Sequence, residues 1–280
     1  VKLGFVIQNQ GPDSLQAVAR LGPVVEDLGY DSVWLTDHVV GVSGYAERGY
    51  TPYWLELLSG LSFIAAQTSK IRLGTSILVL PNRDPVYTAK VLSTIDNLSG
   101  GRLTLGIGTG WSKGEFHSMG RGQYHENRGA VTNESMKLIL RCWEGGKFSW
   151  ESEFFNFRNM EFDPVPVQKP HPPIFVGGPP VPPVVRRIAM FDAGWHPFIA
   201  SPSELQEEWK KVNDTVGRHV EVSNRVHLPA ETSESDLAKL IEGFSGIGCE
   251  EFVIDLRADT ADEVARLAEK AMSAKKRALS

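Results

Sequence analysis

An acid and an imidazole stand side by side at Asp37-His38, one residue beyond the apolar run Val33-Trp34-Leu35. Residues of that kind favour a strand, so the pair is expected at a strand's end. A histidine there can give or take a proton near neutral pH. Equally, such a pair can simply satisfy the backbone of a loop. The run GIGTG at 106–110 allows a flat ring or a phosphate to approach the main chain closely, or it makes a tight turn. In GGPPVPPVVRR, residues 177–187, two glycines before a helix start form a candidate anion cradle. Gly177, Gly178 and Val181 would supply its N–H groups, with Arg186 or Arg187 nearby. Pro179, Pro180, Pro182 and Pro183 have none to offer. Thr75 and Ser76 are small where barrel strands usually carry bulky residues, which leaves room for a ligand. Gln8, Asn9, Trp111 and Trp195 follow strands and are pocket candidates, whereas Trp143 and Trp209 lie on helical segments and read as packing. The remaining histidines, His117, His125, His171, His219 and His227, read as loop or surface groups. A catalytic metal centre needs three or more converging ligands. With no HxH or HxxxH pattern in the chain, no metal is expected.

The elements that must position these residues alternate. Strands are expected at 3–8, 32–36, 70–80, 102–110, 173–178, 194–198, 224–229 and 250–256. Helices are expected at 14–29, about 53–68, 84–101, 127–143, 182–192, 201–217, 233–248 and from 259 or 260 onward. Ser14, Asp84 and Ser203 are in place to cap, Pro85 opens a first turn, and Gly29 closes the first helix. Pro23 predicts a kink or a nearby boundary. Residues 146–172 break the alternation and read as a short hairpin and an extended excursion. Eight strand–helix units in series predict a parallel (β/α)8 TIM barrel, a single domain over 1–280 with a short insertion before strand five. The competing open, doubly wound sheet is disfavoured because the first strand–helix junction, QNQGPDS, lacks the three-glycine dinucleotide fingerprint. In a barrel of this kind the C-terminal ends of the strands carry the chemistry, and Asp37-His38 falls there.

The chain's 280 residues suit one such barrel. Its net charge of −5 argues against a nucleic-acid partner, which would need a concentrated basic face. No apolar stretch approaches the ~20 residues of a membrane span. Residues 3–7 already read as a strand, and no secretory pattern is seen. Cys142 and Cys249 lack metal-ligand spacing and read as a reduced pair, so a cytoplasmic enzyme with a small-molecule substrate is expected.

Together, three stretches carry a family resemblance. They are LGYDSVWLTDHVV, KIRLGTSILVLPNRDPVYTAKVLSTIDNLSGGRLTLGIGTGW, and HPPIFVGG followed by GWHPF. The chain resembles the luciferase-like monooxygenase superfamily of flavin and deazaflavin TIM barrels, and within it the probable coenzyme F420-dependent oxidoreductases. That resemblance implies hydride transfer between F420 and an organic substrate. An FMN-dependent monooxygenase is the alternative, and a barrel that binds a flavin without turnover a second one. It implies that Asp37 contacts the cofactor and that His38 stands near the reacting ring carbon as proton donor or charge stabiliser. It implies a non-proline cis peptide at Ser76–Ile77 behind the ring, with Gly108, Thr109 and Gly110 bordering it and Gly177 and Gly178 taking the phosphate. Residues 146–172 would then flank substrate entry, and the loop at 41–53 after the Asp-His pair is expected to help set specificity. The resemblance also allows a homodimer. Two departures stand out. Trp111 occupies the place of a glutamate that serves as an acid in related sugar-phosphate dehydrogenases, which suggests a more apolar substrate. The prolines after Gly178 replace a cap that usually carries small polar residues.

Overall fold

The structure, a computed structural model, describes residues 1–279. Strand β1 (Lys2–Val6) leads into helix α1 (Ser14–Leu28), and β2 (Ser32–Leu35) is followed by a long loop before α2 (Leu57–Gln67). The expected third strand is broken in two, β3 (Arg72–Thr75) and β4 (Leu78–Val79), and α3 (Pro85–Ser99) follows. Next come β5 (Leu103–Gly108), a six-residue helix α4 (Lys113–Ser118) absent from the sequence expectation, and α5 (Arg128–Trp143). The antiparallel hairpin β6 (Gly146–Glu151) and β7 (Asn156–Phe162) occupies the expected insertion. Then β8 (Ile174–Gly177), α6 (Pro182–Met190), β9 (Gly194–His196), α7 (Pro202–Val216), β10 (Ser223–Leu228), α8 (Glu234–Gly246), β11 (Glu251–Leu256) and α9 (Ala261–Ala278) complete the series.

The large sheet runs β10-β11-β1-β2-β3-β5-β8-β9, with β4 extending the contact to β5, and every pairing in it is parallel. Its two ends meet: Trp195 bridges Val222, the Trp195 N–H donates to Glu221 O at 2.8 Å, and the Arg225 N–H donates to Pro197 O at 3.0 Å. Burial drives this arrangement. Parallel strands covered by helices carry apolar residues on both faces, and β2 and β5 are buried at every position.

Local signals explain most boundaries. Asp84 accepts the Tyr87 N–H with Pro85 in the first turn of α3, and Thr260 forms a reciprocal capping box with Glu263 on α9. Two caps sit one or two residues before the expected ones: Asp13 rather than Ser14 precedes α1, and Ser201 rather than Ser203 precedes α7. Helix α1 runs unbroken through Pro23. Proline removes the N–H that would serve the carbonyl four residues earlier. That carbonyl, Ala19 O, instead accepts from Gln67 Nε2 at 3.0 Å, so α2 repairs the gap.

The barrel interior is filled around Trp34, which is fully buried and stacks on His196 at 4.7 Å between ring centroids. Space for the indole comes from Gly4 and Gly74, where an added Cβ would lie 2.8 Å from Trp34 Nε1 and 2.2 Å from Trp34 Cε3. The room expected beside Thr75 is therefore taken by protein, and the Thr75 hydroxyl donates to Gly106 O at 2.7 Å. Ser76, one residue further, does open on a cavity.

Candidate active site

The cavity lies at the C-terminal ends of the strands and measures about 640 Å³, within the usual range for small-ligand sites. It gathers Asp37, His38, Ser76, Ile77, Thr109, Gly110, Trp111, Gly177 and Gly178 from four separate stretches of chain. One wall carries proton chemistry, a second is a flat main-chain ledge, and a third holds a buried ion pair.

The proton wall is built on His38. Its Nδ1 lies 3.0 Å from Glu115 Oε2, and Glu115 Oε1 accepts the Val39 N–H at 2.7 Å. The Tyr45 hydroxyl donates to the same Glu115 Oε2 at 2.9 Å. Burial works against the Glu115 charge, but the bonds from His38, Val39 and Tyr45 outweigh it and hold the carboxyl below its ordinary range. Burial and the neighbouring carboxylate push the Tyr45 phenol up, so it stays a donor. A carboxylate facing Nδ1 fixes the proton on that nitrogen and leaves Nε2 as the basic atom of the neutral ring. The ring packs against Tyr50 and Trp54, with centroids 5.2 and 4.7 Å away, and against the edge of Trp111 at 5.9 Å. Within this aromatic collar the imidazole is buried. Glu115 and Tyr45 had not been singled out as site residues. Glu115 stands three residues after Ser112, whose hydroxyl accepts the Glu115 N–H and caps α4. That serine-to-glutamate spacing is a capping-box pattern and was the available signal.

Asp37 is differently employed. Its Oδ2 accepts the Val79 N–H at 2.8 Å and its Oδ1 accepts Arg83 Nη2 at 2.7 Å. Arg83 also reaches Glu56 Oε1 at 3.0 Å. Burial opposes the Arg83 charge, but the two carboxylates outweigh it. Asp37 thus ties β4 to the end of β2 with both oxygens engaged.

The ledge is the Ser76–Ile77 peptide, which is cis as the resemblance implies. The half-buried Ile77 side chain turns back into the barrel, into space that exists because three neighbours are glycines. An added Cβ at Gly106, Gly108 or Gly177 would lie 3.3, 1.9 or 2.7 Å from an Ile77 carbon. Gly108 was expected to border a cofactor ring. It lies instead behind Ile77, outside the cavity lining. Ser76 and Ile77 both line the cavity.

The third wall follows from β9, β10 and β11. Arg225 pairs with Asp255 at 2.6 Å, and its Nη1 donates to both Ser76 O and Ser76 Oγ at 3.0 Å. The Ser223 hydroxyl donates to Glu251 Oε2 at 2.7 Å, so the His196 Nδ1–H must be the donor to Ser223, 3.2 Å away. His196 Nε2 then accepts the Ser76 hydroxyl at 2.8 Å. Burial and the Arg225 charge lower His196 to about 3, which keeps it neutral in this chain. Burial opposes the Asp255 charge, but Arg225, His227 and Arg257 together outweigh it and hold the carboxyl below its ordinary range. His227, expected as a loop or surface group, is exposed, and it also lines the cavity with Nδ1 3.5 Å from Asp255.

Two expected pocket residues are elsewhere. Trp195 is fully buried, and its Nε1 donates to Gly178 O at 2.9 Å, because the indole turns into the helix layer. Gln8 lines a neighbouring cavity of about 280 Å³ between the β1–α1 and β11–α9 connections. Neither arginine after the prolines serves the expected anion cradle. Arg187 is buried and donates to Asn133 Oδ1 and Gly129 O, at 2.7 and 3.2 Å, and Arg186 lines a separate surface cavity.

Residues 2–276 match the family model for luciferase-like monooxygenases, and the chain belongs to that family. It is 35% identical over 116 residues to an FMNH2-dependent dimethylsulfone monooxygenase of Pseudomonas putida, covering 41% of this chain and 32% of that protein. It is 31% identical over 157 residues to an F420-dependent glucose-6-phosphate dehydrogenase of Amycolatopsis mediterranei, covering 55% of this chain and 45% of that one. The chain thus spans about a third to a half of these curated relatives. The fold matches a monooxygenase from Streptomyces bottropensis over 100% of both chains, with a TM-score of 0.82 at 19% identity. It also matches an F420-dependent secondary alcohol dehydrogenase, solved with an F420–acetone adduct, over 98% of both chains at a TM-score of 0.79 and 14% identity.

Proposed function

We propose that this luciferase-like oxidoreductase moves a hydride between coenzyme F420 and a small organic substrate. The observation that carries the reading is His38, its Nδ1 held by the Glu115 carboxylate, on a cavity that Ser76, Ile77, Gly177 and Gly178 also line. When bound, the deazaflavin supplies the hydride chemistry. The protein's own residues do the rest. The ledge and Ile77 support one face of a planar ring. His38 Nε2 holds or delivers the proton that accompanies reduction or oxidation of a polar carbon–oxygen bond. Glu115 stabilises the charge that His38 gains in doing so. Tyr50, Trp54, Trp111 and Phe198 line the cavity with aromatic surface and favour an apolar substrate body.

A second reading, an FMN-dependent monooxygenase on the same site, is supported by the similarity to the FMNH2-dependent relative. Fluorescence titration of the purified protein with F420 and, in parallel, FMN separates the two. Tighter binding of F420 followed by substrate-dependent change of its absorbance is the expected result. Preferential FMN binding with oxygen uptake would move the activity to monooxygenation. Binding without turnover over a broad substrate panel would leave a ligand-binding barrel.

A further inference from the structure

A line of hydrogen bonds leaves the main cavity and runs through the barrel interior. It starts at Ser76, which lines the cavity just past the C-terminal end of β3. The Ser76 hydroxyl donates to His196 Nε2 at 2.8 Å, the His196 Nδ1–H donates to Ser223 Oγ at 3.2 Å, and the Ser223 hydroxyl donates to Glu251 Oε2 at 2.7 Å. Ser223 and Glu251 are the first residues of β10 and β11 and pair in register, so the line ends at the N-terminal end of the strands. Ser76, His196 and Ser223 are buried, and Glu251 is half-buried.

The line can point either way, because each hydroxyl and the neutral imidazole carries one donor and can also accept. With Glu251 ionised, every member donates toward it. With Glu251 protonated on Oε2, the carboxyl donates to Ser223, Ser223 to His196 Nδ1, and His196 Nε2–H to Ser76. That reversal frees the Ser76 hydrogen for an acceptor in the cavity. The other carboxyl oxygen is engaged separately: Glu251 Oε1 accepts the Ser32 hydroxyl, and Ser32 Oγ accepts the Trp34 Nε1–H at 2.7 Å.

The charges around the line suit this exchange. At the cavity end Arg225 Nη1 donates to Ser76 Oγ, and its partner Asp255 also faces His227 and Arg257. At the far end Lys2 on β1, Arg72 on β3 and the Cys249 thiol feel the Glu251 charge. Burial raises the Glu251 carboxyl against the bonds from Ser223 and Ser32 and the Lys2 charge, which brings its protonated form within reach. Burial and Arg225 keep His196 neutral, so it releases a proton from one nitrogen as it takes one on the other.

We infer that Ser76, His196, Ser223 and Glu251 form a relay that carries one proton between the cavity and a store at the base of the barrel. In one passage a group in the cavity gives a proton to Ser76 Oγ, the Ser76 hydrogen passes to His196 Nε2, the Nδ1 hydrogen to Ser223, and the Ser223 hydrogen to Glu251. One proton crosses, no electrons move, and only the cavity group and Glu251 change charge. The relay gives the site a proton route separate from His38, whichever coenzyme binds.

Ring ¹⁵N spectra of His196 in the intact protein, recorded without ligand between about pH 4 and 9, follow the tautomer. The expected result is a neutral ring with its proton on Nδ1 at the alkaline end and on Nε2 at the acid end. The two shifts should exchange as pH falls through the Glu251 value, above the ordinary carboxylate range. A single tautomer throughout, or an imidazolium at the acid end, overturns the relay. Glu251→Gln keeps the shape of the site. Its carbonyl takes the Ser32 hydroxyl, which leaves its N–H₂ to donate to Ser223, so His196 should stay in the Nε2–H form at every pH. An Nδ1–H ring in that variant overturns the assigned route. Ser223→Ala cuts the line and should abolish the exchange; an exchange that survives it also counts against the relay.

Discussion

Replacing Gly108 with alanine tests whether the ledge depends on the space beneath it. The new Cβ would lie 1.9 Å from Ile77 Cδ1 and 3.0 Å from Ile77 Cγ1. The backbone around it is fixed by the β4–β5 and β5–β8 pairings, so the isoleucine must give way. Overpacking of this kind costs about 1–3 kcal/mol, and the severity of the contact puts Gly108→Ala near the upper end. For a chain of this size that lowers the melting temperature by roughly 4–10 °C. Ile77→Val removes Cδ1, the atom in the worst contact. In that background Gly108→Ala should cost less than about 1 kcal/mol, a coupling of about 1–2 kcal/mol between the two sites. Urea unfolding of the four proteins, with unchanged slopes, measures the cycle. The single variant should also bind flavin-type ligands more weakly, because Ile77 is pushed toward the cavity. Equal cost of Gly108→Ala in both backgrounds, or no cost in either, would refute the account of why glycine stands here.

Three further variants follow from the site. His38→Ala should lower turnover by about 10²-fold or more while changing cofactor affinity little, read by comparing kcat with the titrated Kd; equal turnover would remove His38 from the chemistry. Glu115→Gln keeps the shape but places an amide N–H₂ or a neutral oxygen against His38 and Tyr45. It should shift the His38 proton between ring nitrogens, visible in ¹⁵N spectra, and slow turnover by about 10–100-fold. Because the folded-state pKa of Glu115 is depressed, chiefly by His38 against the effect of burial, its contribution to stability is full above the unfolded carboxylate pKa. That contribution is lost as pH falls through the folded value, so the stability curve of Glu115→Gln should be flatter on the acid side; parallel curves would contradict this. Asp37→Ala strands the Val79 N–H and leaves Arg83 with Glu56 alone. It should destabilise by about 2–4 kcal/mol, measured by denaturant unfolding, whereas an exposed, weakly held carboxylate would cost almost nothing.

Much of this molecule was legible in its sequence. Alternating apolar strands and capped helices are written in neighbouring residues, so the eight-unit barrel, the insertion hairpin, and the place of Asp37-His38 at a strand end could all be read directly. Asp84 and the prolines at 179–183 announce their effects within a few residues. What local pattern does not carry is the choice of partner. His38 finds Glu115 across 77 positions and Ser76 finds Arg225 across 149, because barrel closure and register bring those strand ends to one rim. The same closure turned Trp195 away from the cavity, set Gln8 beside another one, and packed Gly108 against Ile77. A strand's period of two decides which side chains share a face. Only packing in three dimensions decides what that face meets.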